Sequence, residues 1–377
     1  MNTIMEKEFV LKELPVGAVL PQGMTKRFLE TQMHGLTGRI EEAGPPFDTP
    51  KWSEERITEE GVAMWWEYEQ YAYWLDGFVR AAVLLQDRAA IARAESLILS
   101  VIRNPDRDGY LGPRVLKEAN GWNRWPHVVF FRACIALYDG TGNEKILHAI
   151  CRHYLGSETD FTKKRDVLNV EIMLWAYEKS GERRLLELAE ETYAGYNTAC
   201  GDCLCDRAAL GEEKPYAHGV SYNEFFKLGA VLYLHTGKEG YLATSRAAYR
   251  KLERYFSLPS GCHCSDEFLI SDDYMHGYET CDISDYTWNS GYLLAATGEG
   301  GYADRIEKCV FNAGIGSVLE DFRGLQYFSF ANQTIADATS NHAEFFRGGA
   351  WASYRPVPGT ECCTGNVNRF MPNYVAR

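Results

Sequence analysis

The sequence has no run of about 18 apolar residues, the length that a membrane-spanning helix requires. Residues 1–8 also lack the apolar core of a signal peptide. These absences argue against a membrane partner and against export. We therefore expect a soluble, cytoplasmic protein.

Positive charge is also scarce. The chain has 39 Lys and Arg residues against 52 Asp and Glu residues, for a formal net charge of −13 at pH 7. Proteins that bind nucleic acids or anionic membranes usually present basic surfaces. The charge balance argues against both partners and fits a neutral or weakly charged small substrate.

A disulfide framework is not expected, because the eleven cysteines are an odd number in a chain without an export signal. Cys134, Cys151 and Cys309 lie in apolar helical patterns and are expected to be buried thiols. The others lie near turns or helix breaks, where metal or redox chemistry is more common. These others are Cys200, Cys203, Cys205, Cys262, Cys264, Cys281, Cys362 and Cys363. A second metal site formed by the first five of them stays open as a possibility.

Strand-like alternation is confined mainly to residues 9–11 and 324–331. Helical periodicity dominates instead, with apolar residues three and four positions apart. A large core is possible, since 46% of the residues are hydrophobic and 13% are aromatic. The helical stretches are residues 79–102, 128–138, 167–179, 184–196, 223–235, 241–256 and 302–318.

A short phrase recurs in which Ser or Thr and then Gly follow an apolar helix, at Gly142, Gly181, Gly237 and Gly298. A glycine after a helix can adopt the left-handed conformation that closes it. The polar residues that follow can cap the next helix. The phrases therefore predict turns between antiparallel helices, at a spacing that suits stacked helix pairs.

Repeated helix pairs form either an open solenoid or a closed toroid with an inner and an outer ring. Long loops at residues 120–126, 201–220 and 259–278 are rich in Trp, Tyr, Gly and His. They favour the toroid, because ligand-binding residues concentrate on loops held by a rigid frame. No linker of disordered composition is evident, so we expect one domain over residues 1–377.

The strongest chemical signal comes from Glu279, Cys281 and the adjacent Cys362 and Cys363. Three sulfurs and one carboxylate are a complete tetrahedral ligand set for zinc, which holds thiols as nucleophilic thiolates. Glu279 and Cys281 can share a metal only from a turn or a helix start, because residues two apart in a helix diverge. A kinked backbone after residues 356–359 could aim the vicinal thiols at one ion. A catalytic zinc, a structural zinc, and buried thiols or a vicinal disulfide all stay open at this point.

Carboxylates and histidines supply further candidates. Asp266 and Glu267 lie among aromatic residues that could raise a carboxyl pKa and make a general acid, although most such pairs are merely solvated. His127 and His218 are expected at the starts of helices at the pocket mouth. There they would either cap and pack or bind sugar hydroxyls.

Residues 65–77 interleave aromatic and polar side chains. This pattern suits stacking on sugar rings together with hydrogen bonds to hydroxyls. Gln70 and Trp74 are the substrate-binding candidates in it. Ordinary helix packing is the alternative explanation.

The combination resembles the bacterial β-L-arabinofuranosidases of glycoside hydrolase family 127. The likeness extends along the whole chain and is most specific in the segments Glu279-Thr280-Cys281 and Cys362-Cys363-x-x-Asn366-x-x-Arg369. Residues 27–38 and 73–77 add weaker support. The resemblance implies an all-α catalytic domain built as an (α/α)6 toroid.

It also implies a retaining glycoside hydrolase that releases a sugar such as L-arabinofuranose. A zinc ion (Zn2+) would be bound by Glu279, Cys281, Cys362 and Cys363, with Cys362 as the nucleophile. The other roles that it implies are general acid/base for Glu267, with Asp266 as the fallback, and pocket histidines for His127 and His218.

Two other functions compete with this one. An (α/α)6 sugar epimerase or isomerase would use pocket histidines and need no thiol cluster, whereas a zinc-stapled toroid could bind glycans without catalysis. The family's toroid is usually followed by β-sandwich domains, and we expect this chain to lack them. The expected partners are a small carbohydrate and either a second copy of the chain or a partner that supplies the missing domain.

Overall fold

The computed structural model describes residues 10–53, 65–118, 124–156, 159–273, 275–331, 333, 335–337, 351–358 and 361–377. Parts of the predictions for residues 9–11 and for the loops at 120–126 and 259–278 fall outside these ranges. The described residues are mainly helical. The α-helices are α1 (Gly23–His34), α2 (Trp65–Leu84), α3 (Arg88–Ile102), α4 (Arg114–Glu118), α5 (Trp125–Thr141), α6 (Glu144–Gly156), α7 (Val170–Ser180), α8 (Arg183–Ala199), α9 (Asp206–Leu210), α10 (Gly219–Thr236), α11 (Glu239–Phe256), α12 (Thr280–Thr297), α13 (Gly300–Lys308), α14 (Glu361–Asn366) and α15 (Phe370–Ala376).

The helices form two rings. Helices α2, α5, α7, α10 and α12 are buried on most of their faces, so they make the inner ring. Each is followed by an outer helix, α3, α6, α8, α11 or α13, that buries only one stripe of apolar residues. A helix that is apolar all round belongs in a core, and an amphipathic one covers it.

The ring is closed by two segments that are distant in the sequence. Helices α14 and α15 pack between α12 and α2, and α1 packs outside α15. These segments supply the sixth helix pair. The fold is therefore the predicted all-α (α/α)6 toroid.

The predicted helix-pair turns are confirmed. Gly142, Gly181, Gly237 and Gly298 have φ values of +66°, +73°, +69° and +69°. Each N–H donates to the carbonyl four residues earlier at 2.7–2.8 Å. A residue with a side chain would be strained in this conformation, which explains the glycine in each phrase.

Two predicted helical stretches are interrupted. Residues 79–102 divide at Asp87, whose carboxylate caps α3 by accepting from the N–H groups of Ala89 (3.0 Å) and Ala90 (3.1 Å). Residues 302–318 continue from α13 into a π-helical turn at Cys309–Gly314. The apolar spacing runs through both breaks, so periodicity alone did not reveal them.

Strands are few in the described chain, as predicted. β1 (Gly277–Glu279) pairs antiparallel with β2 (Phe328–Phe330), and Glu279 lies opposite Phe328. This ribbon leads directly into the amino-terminal end of α12. None of the described helices combines the length and apolar composition that crossing a bilayer requires.

Candidate active site

A cavity of about 350 Å³ lies at one mouth of the toroid. The amino-terminal parts of α2, α10, α12 and α14 all reach it. Most of the site residues predicted from the sequence line it, namely Gln70, His218, Glu267, Glu279, Cys281 and Cys362.

The predicted zinc ligands come together at the floor of this cavity. Glu279 ends β1 and Cys281 is the second residue of α12, so the predicted helix start is confirmed. The four ligand atoms lie within 4.8 Å of one another. Cys281 Sγ is 3.3 Å from Cys363 Sγ, and Glu279 Oε1 is 3.5 Å from Cys363 Sγ and 4.0 Å from Cys362 Sγ. Cys362 and Cys363 lie in the first turn of α14. The kink predicted just before them falls on residues 359 and 360, which lie outside the described residues.

The cluster fits a zinc ion. Zinc–ligand bonds of ~2.0–2.3 Å in a tetrahedron place ligand atoms roughly 3.3–3.8 Å apart, and the observed distances are close to this. Glu279 is buried, and its Oε2 has no hydrogen-bond partner among the described residues, a deficit that a cation would remove. Burial raises the pKa of the Cys281 and Cys363 thiols and of the Glu279 carboxyl well above their usual values. A dication would offset that burial cost for all of them at once.

One hydroxyl links the predicted acid/base to the predicted nucleophile. The Tyr327 hydroxyl donates to Glu267 Oε1 and lies 3.1 Å from Cys362 Sγ. Tyr327 directly precedes β2, and its carbonyl accepts from the N–H of Thr280 at 2.9 Å. The two-stranded ribbon therefore holds Tyr327 beside Glu279, a predicted zinc ligand.

His218 orients the carboxylate of Glu267 from the other side. His218 precedes α10, and its Nδ1 accepts from the backbone N–H of Ser221 at 3.2 Å. That bond leaves the proton on Nε2, which donates to Glu267 Oε2 at 3.1 Å. Asp266, the fallback acid, does not line the cavity and instead binds His276 Nδ1 (2.5 Å) and the N–H of Gly277 (3.0 Å).

The aromatic run at residues 65–77 divides between the cavity and the core. Trp66, Gln70 and Tyr73 share the face of α2 that lines the cavity, at three- and four-residue spacing. Gln70 Oε1 is buried and has no hydrogen-bond partner among the described residues. It is thus placed to accept from a substrate hydroxyl.

The structure places two predicted substrate-binding residues away from the cavity. Trp74 is fully buried, stacks on Phe78 and donates to the carbonyl of Thr37 at 2.8 Å. His127 is also fully buried, and its Nε2 lies 2.8 Å from the carbonyl oxygen of Leu111. Both side chains are packed in the core. Packing was the alternative to sugar binding that the sequence left open for each residue.

Several cavity residues were missed from the sequence. Tyr327 has no recognisable motif around it. Glu69 lies in the aromatic run and Arg165 in a connection between helices, 3.8 Å from Glu69. Burial raises the pKa of Glu69 to about 7, although Arg165 opposes the shift. A positive φ of +66° at Arg165 marks a backbone that its surroundings must hold in place.

The residues after the vicinal cysteines anchor α14 to the inner ring. Arg369 binds Asp76 of α2 and Asp285 of α12, each at 3.0 Å, with all three side chains buried. Asn366 donates to the other oxygen of Asp285 at 3.0 Å. The Asn and Arg of the closing motif therefore position the cysteines rather than bind substrate.

The weaker segments of the resemblance meet at the same place. Gln32 donates to the carbonyl of Asn368 at 2.7 Å, and Thr37 donates to its side chain at 2.6 Å. Gly77 lies so close to Asn368 that an added Cβ would sit 2.3 Å from the carbonyl oxygen. These segments therefore support the cysteine helix.

The remaining cysteines show no second metal site in the described parts of the chain, where the only groups of suitable ligands involve Glu279. Cys200 binds the Tyr196 hydroxyl and Asp202, and Cys203 donates to the carbonyl of Tyr216 at 3.0 Å. The thiols of Cys134 and Cys309 are buried as predicted, whereas Cys151 is half-buried.

A family model described as the catalytic domain of the GH127 β-L-arabinofuranosidases matches residues 42–376. The chain belongs to this family. The resemblance inferred from the sequence is thereby confirmed. No curated protein sequence matches the chain.

Solved GH127 structures share the fold. A GH127 β-arabinofuranosidase superposes with a TM-score of 0.74 at 15% identity, covering 98% of this chain and 62% of its own. A GH127 β-L-arabinofuranosidase from Geobacillus stearothermophilus T6 superposes with a TM-score of 0.75 at 15% identity. The match covers 95% of this chain and 64% of the other. The chain thus spans less than two-thirds of the length of these relatives.

The toroid is also found outside the GH127 family. A sugar epimerase from a ruminal bacterium matches with a TM-score of 0.53 at 10% identity, covering 89% of this chain and 98% of its own. Likeness at this level shows the fold alone.

Proposed function

We propose that this GH127 chain is a retaining glycoside hydrolase that releases a sugar such as L-arabinofuranose, with Cys362 as nucleophile and Glu267 as general acid/base. The observation that carries the proposal is the Tyr327 hydroxyl, which contacts both groups beside the Glu279 and Cys281 cluster. The substrate class follows from the family.

The spacing of the two groups supports retention of configuration. Two groups that contact one hydroxyl oxygen lie within about 6 Å of each other, or roughly two hydrogen-bond lengths. Retaining glycosidases hold their catalytic pair ~5–5.5 Å apart, whereas inverting enzymes leave ~6.5–9.5 Å for a water. The shared contact of Glu267 and Cys362 with Tyr327 therefore supports the retaining class.

The chemistry proceeds in two displacements. Glu267 gives its proton to the leaving oxygen while the Cys362 sulfur attacks the anomeric carbon, which forms a carbon–sulfur bond and breaks the glycosidic bond. Glu267, now a carboxylate, removes a proton from water. The resulting hydroxide adds to the anomeric carbon, and the electron pair of the carbon–sulfur bond returns to sulfur.

Four residues would hold the metal in this scheme: Glu279, Cys281, Cys362 and Cys363. Zinc bound there would keep the thiols ionised at neutral pH and would stabilise sulfur as a leaving group. His218 and Tyr327 hold the Glu267 carboxylate towards the cavity. Gln70 accepts from a sugar hydroxyl.

The site supports an epimerase less well. Such an enzyme would need histidines for acid–base chemistry at the sugar, and His218 is the one histidine that lines the cavity in the described chain. Its hydrogen bonds to Ser221 and Glu267 occupy both of its ring nitrogens.

The test is hydrolysis of a panel of aryl furanosides and pyranosides by chelated protein and by protein with zinc restored. Activity that is lost on chelation, returns with zinc and favours a furanoside supports the proposal. A lack of hydrolysis with zinc bound at one equivalent would support a non-catalytic glycan-binding toroid instead.

A further inference from the structure

Two aromatic rings lie exposed beside the cavity. Tyr216 is 68% exposed and Phe268 is 37% exposed. Their rings are stacked, with centroids 5.4 Å apart and planes 18° from parallel. Large aromatic side chains are normally buried, so two exposed and mutually ordered rings are unusual for a soluble surface.

The two rings lie on two backbone segments, residues 216–219 and 267–269, that also carry His218 and Glu267. Hydrogen bonds join these segments into a short ladder. The N–H of Gly219 donates to the carbonyl of Glu267 and the N–H of Leu269 donates to the carbonyl of Ala217, both at 2.8 Å. Tyr216 and Phe268 each lie within two residues of a cavity residue in this ladder. The ladder therefore sets the position of the ring pair relative to the acid/base.

The ring pair is also continuous with the cavity. Phe268 packs edge-to-face on His218, with centroids 5.8 Å apart. His218 in turn lines the cavity and binds Glu267. An unbroken row of rings thus leads from the carboxylate of Glu267 to the solvent at Tyr216.

We propose that Tyr216 and Phe268 form a binding platform for the leaving-group sugar. The proposal rests on the hydrolase function proposed above. The leaving oxygen must lie within hydrogen-bond reach of Glu267 to receive its proton. The next sugar along the glycan then extends outward from that carboxylate, over the ring of Phe268.

The chemistry of the platform suits such a ligand. The C–H face of a sugar ring packs on an aromatic ring while its hydroxyls stay in water, and an exposed ring pair offers this contact at low cost in side-chain entropy. A backbone fixed by the ladder keeps the rings in place before the substrate arrives. This preorganisation is what a weak binding subsite requires.

The kinetic test compares two substrates with the same glycone, a β-linked L-arabinofuranosyl disaccharide and methyl β-L-arabinofuranoside. Tyr216→Ala should lower kcat/KM for the disaccharide about 3- to 10-fold, a loss typical of one aromatic stacking contact. The methyl glycoside should be unaffected, because methanol does not reach the platform. Tyr216→Phe should behave like the wild type, since it keeps the ring.

Phe268→Leu tests the second ring, because it keeps apolar bulk next to Glu267 but removes the flat surface. It should show the same substrate-selective loss. Leu210→Ala is the matched control, since Leu210 is 55% exposed and lies outside the ladder. Equal losses on both substrates, or none, would overturn the platform while leaving the hydrolase proposal intact.

A binding measurement separates the two proposals. The Cys362→Ser variant is titrated with each glycoside by NMR, with and without Tyr216→Ala. The platform predicts that Tyr216→Ala weakens the disaccharide about 3- to 10-fold and leaves the methyl glycoside unchanged. If the wild type hydrolyses neither glycoside, the hydrolase proposal fails and this titration alone decides the platform. Unchanged disaccharide binding would overturn it.

Discussion

The Tyr327 hydroxyl lies 3.1 Å from Cys362 Sγ and donates to the carboxylate of Glu267. A hydroxyl has one proton, so it can donate to only one of these groups at a time. In the proposed reaction, Tyr327 would therefore stabilise whichever of the two carries negative charge.

Tyr327→Phe should lower kcat/KM roughly 10- to 100-fold, because a hydrogen bond to a charged group contributes about 1.5–3 kcal/mol. Steady-state kinetics with an aryl furanoside measure this loss. Tyr138→Phe removes a hydroxyl that binds Glu144 on the outer surface, and it should leave kcat/KM unchanged. Wild-type rates for Tyr327→Phe would show that the contact has no catalytic role.

Glu267→Ala should lose on the order of 10²-fold or more in activity, which is typical when an acid/base is removed. The loss in the first step should be smaller for activated aryl leaving groups, since they depart without a proton. A series of aryl glycosides with different leaving-group acidities provides the measurement. A loss that does not depend on the leaving group would contradict the acid role.

Arg369→Met should destabilise the fold by about 3–5 kcal/mol, because it leaves the buried carboxylates of Asp76 and Asp285 without their shared cation. Chemical denaturation of the purified variant measures the free energy of unfolding. Arg184→Met is the control, since Arg184 pairs with Glu191 on the surface and should change stability little. Equal stabilities for the two variants would mean that the buried pair does not hold α14.

Glu69→Gln should change how stability depends on pH. Burial raises the pKa of Glu69 from 4.5 to about 7, so the folded protein holds this proton more tightly than the unfolded chain. The wild type therefore loses stability as the pH rises from about 5 to about 8, by up to ~3 kcal/mol from this group. The variant lacks that loss, so its stability relative to the wild type should increase over this range. Urea denaturation of both proteins at about pH 5 and about pH 8 measures this difference in the free energy of unfolding. A difference that is the same at both pH values would contradict the raised pKa of Glu69.

The sequence predicted the toroid well because its signals are local. Apolar spacing marks each helix, and a glycine such as Gly142 is required wherever a left-handed residue closes one. Closure of the ring by α1 with α14 and α15 was not predictable from periodicity, because it depends on contacts such as Gln32 with Asn368, which are 336 residues apart.

The grouping of Glu279, Cys281, Cys362 and Cys363 was predictable because cysteine is rare and the ligand chemistry of sulfur is specific. His127 and Trp74 were harder, since the same residue types serve in cores and in pockets and only burial distinguishes them. Tyr327 was missed because a lone tyrosine near a short strand carries no pattern. The cytoplasmic location, the single-domain boundary and a homo-oligomer stay predictions.

In the proposed mechanism, Cys362 becomes covalently bonded to the sugar. Glu267→Ala should accumulate this species with an activated aryl furanoside, because attack on such a substrate needs no acid whereas hydrolysis needs the missing base. Cys362→Ser in the same background should not be labelled, although it should still bind zinc through Glu279, Cys281 and Cys363. Peptide mass spectrometry after rapid quenching should find one pentose on Cys362. A pentose on any other residue, or burst-free turnover with unlabelled Cys362, would contradict the account.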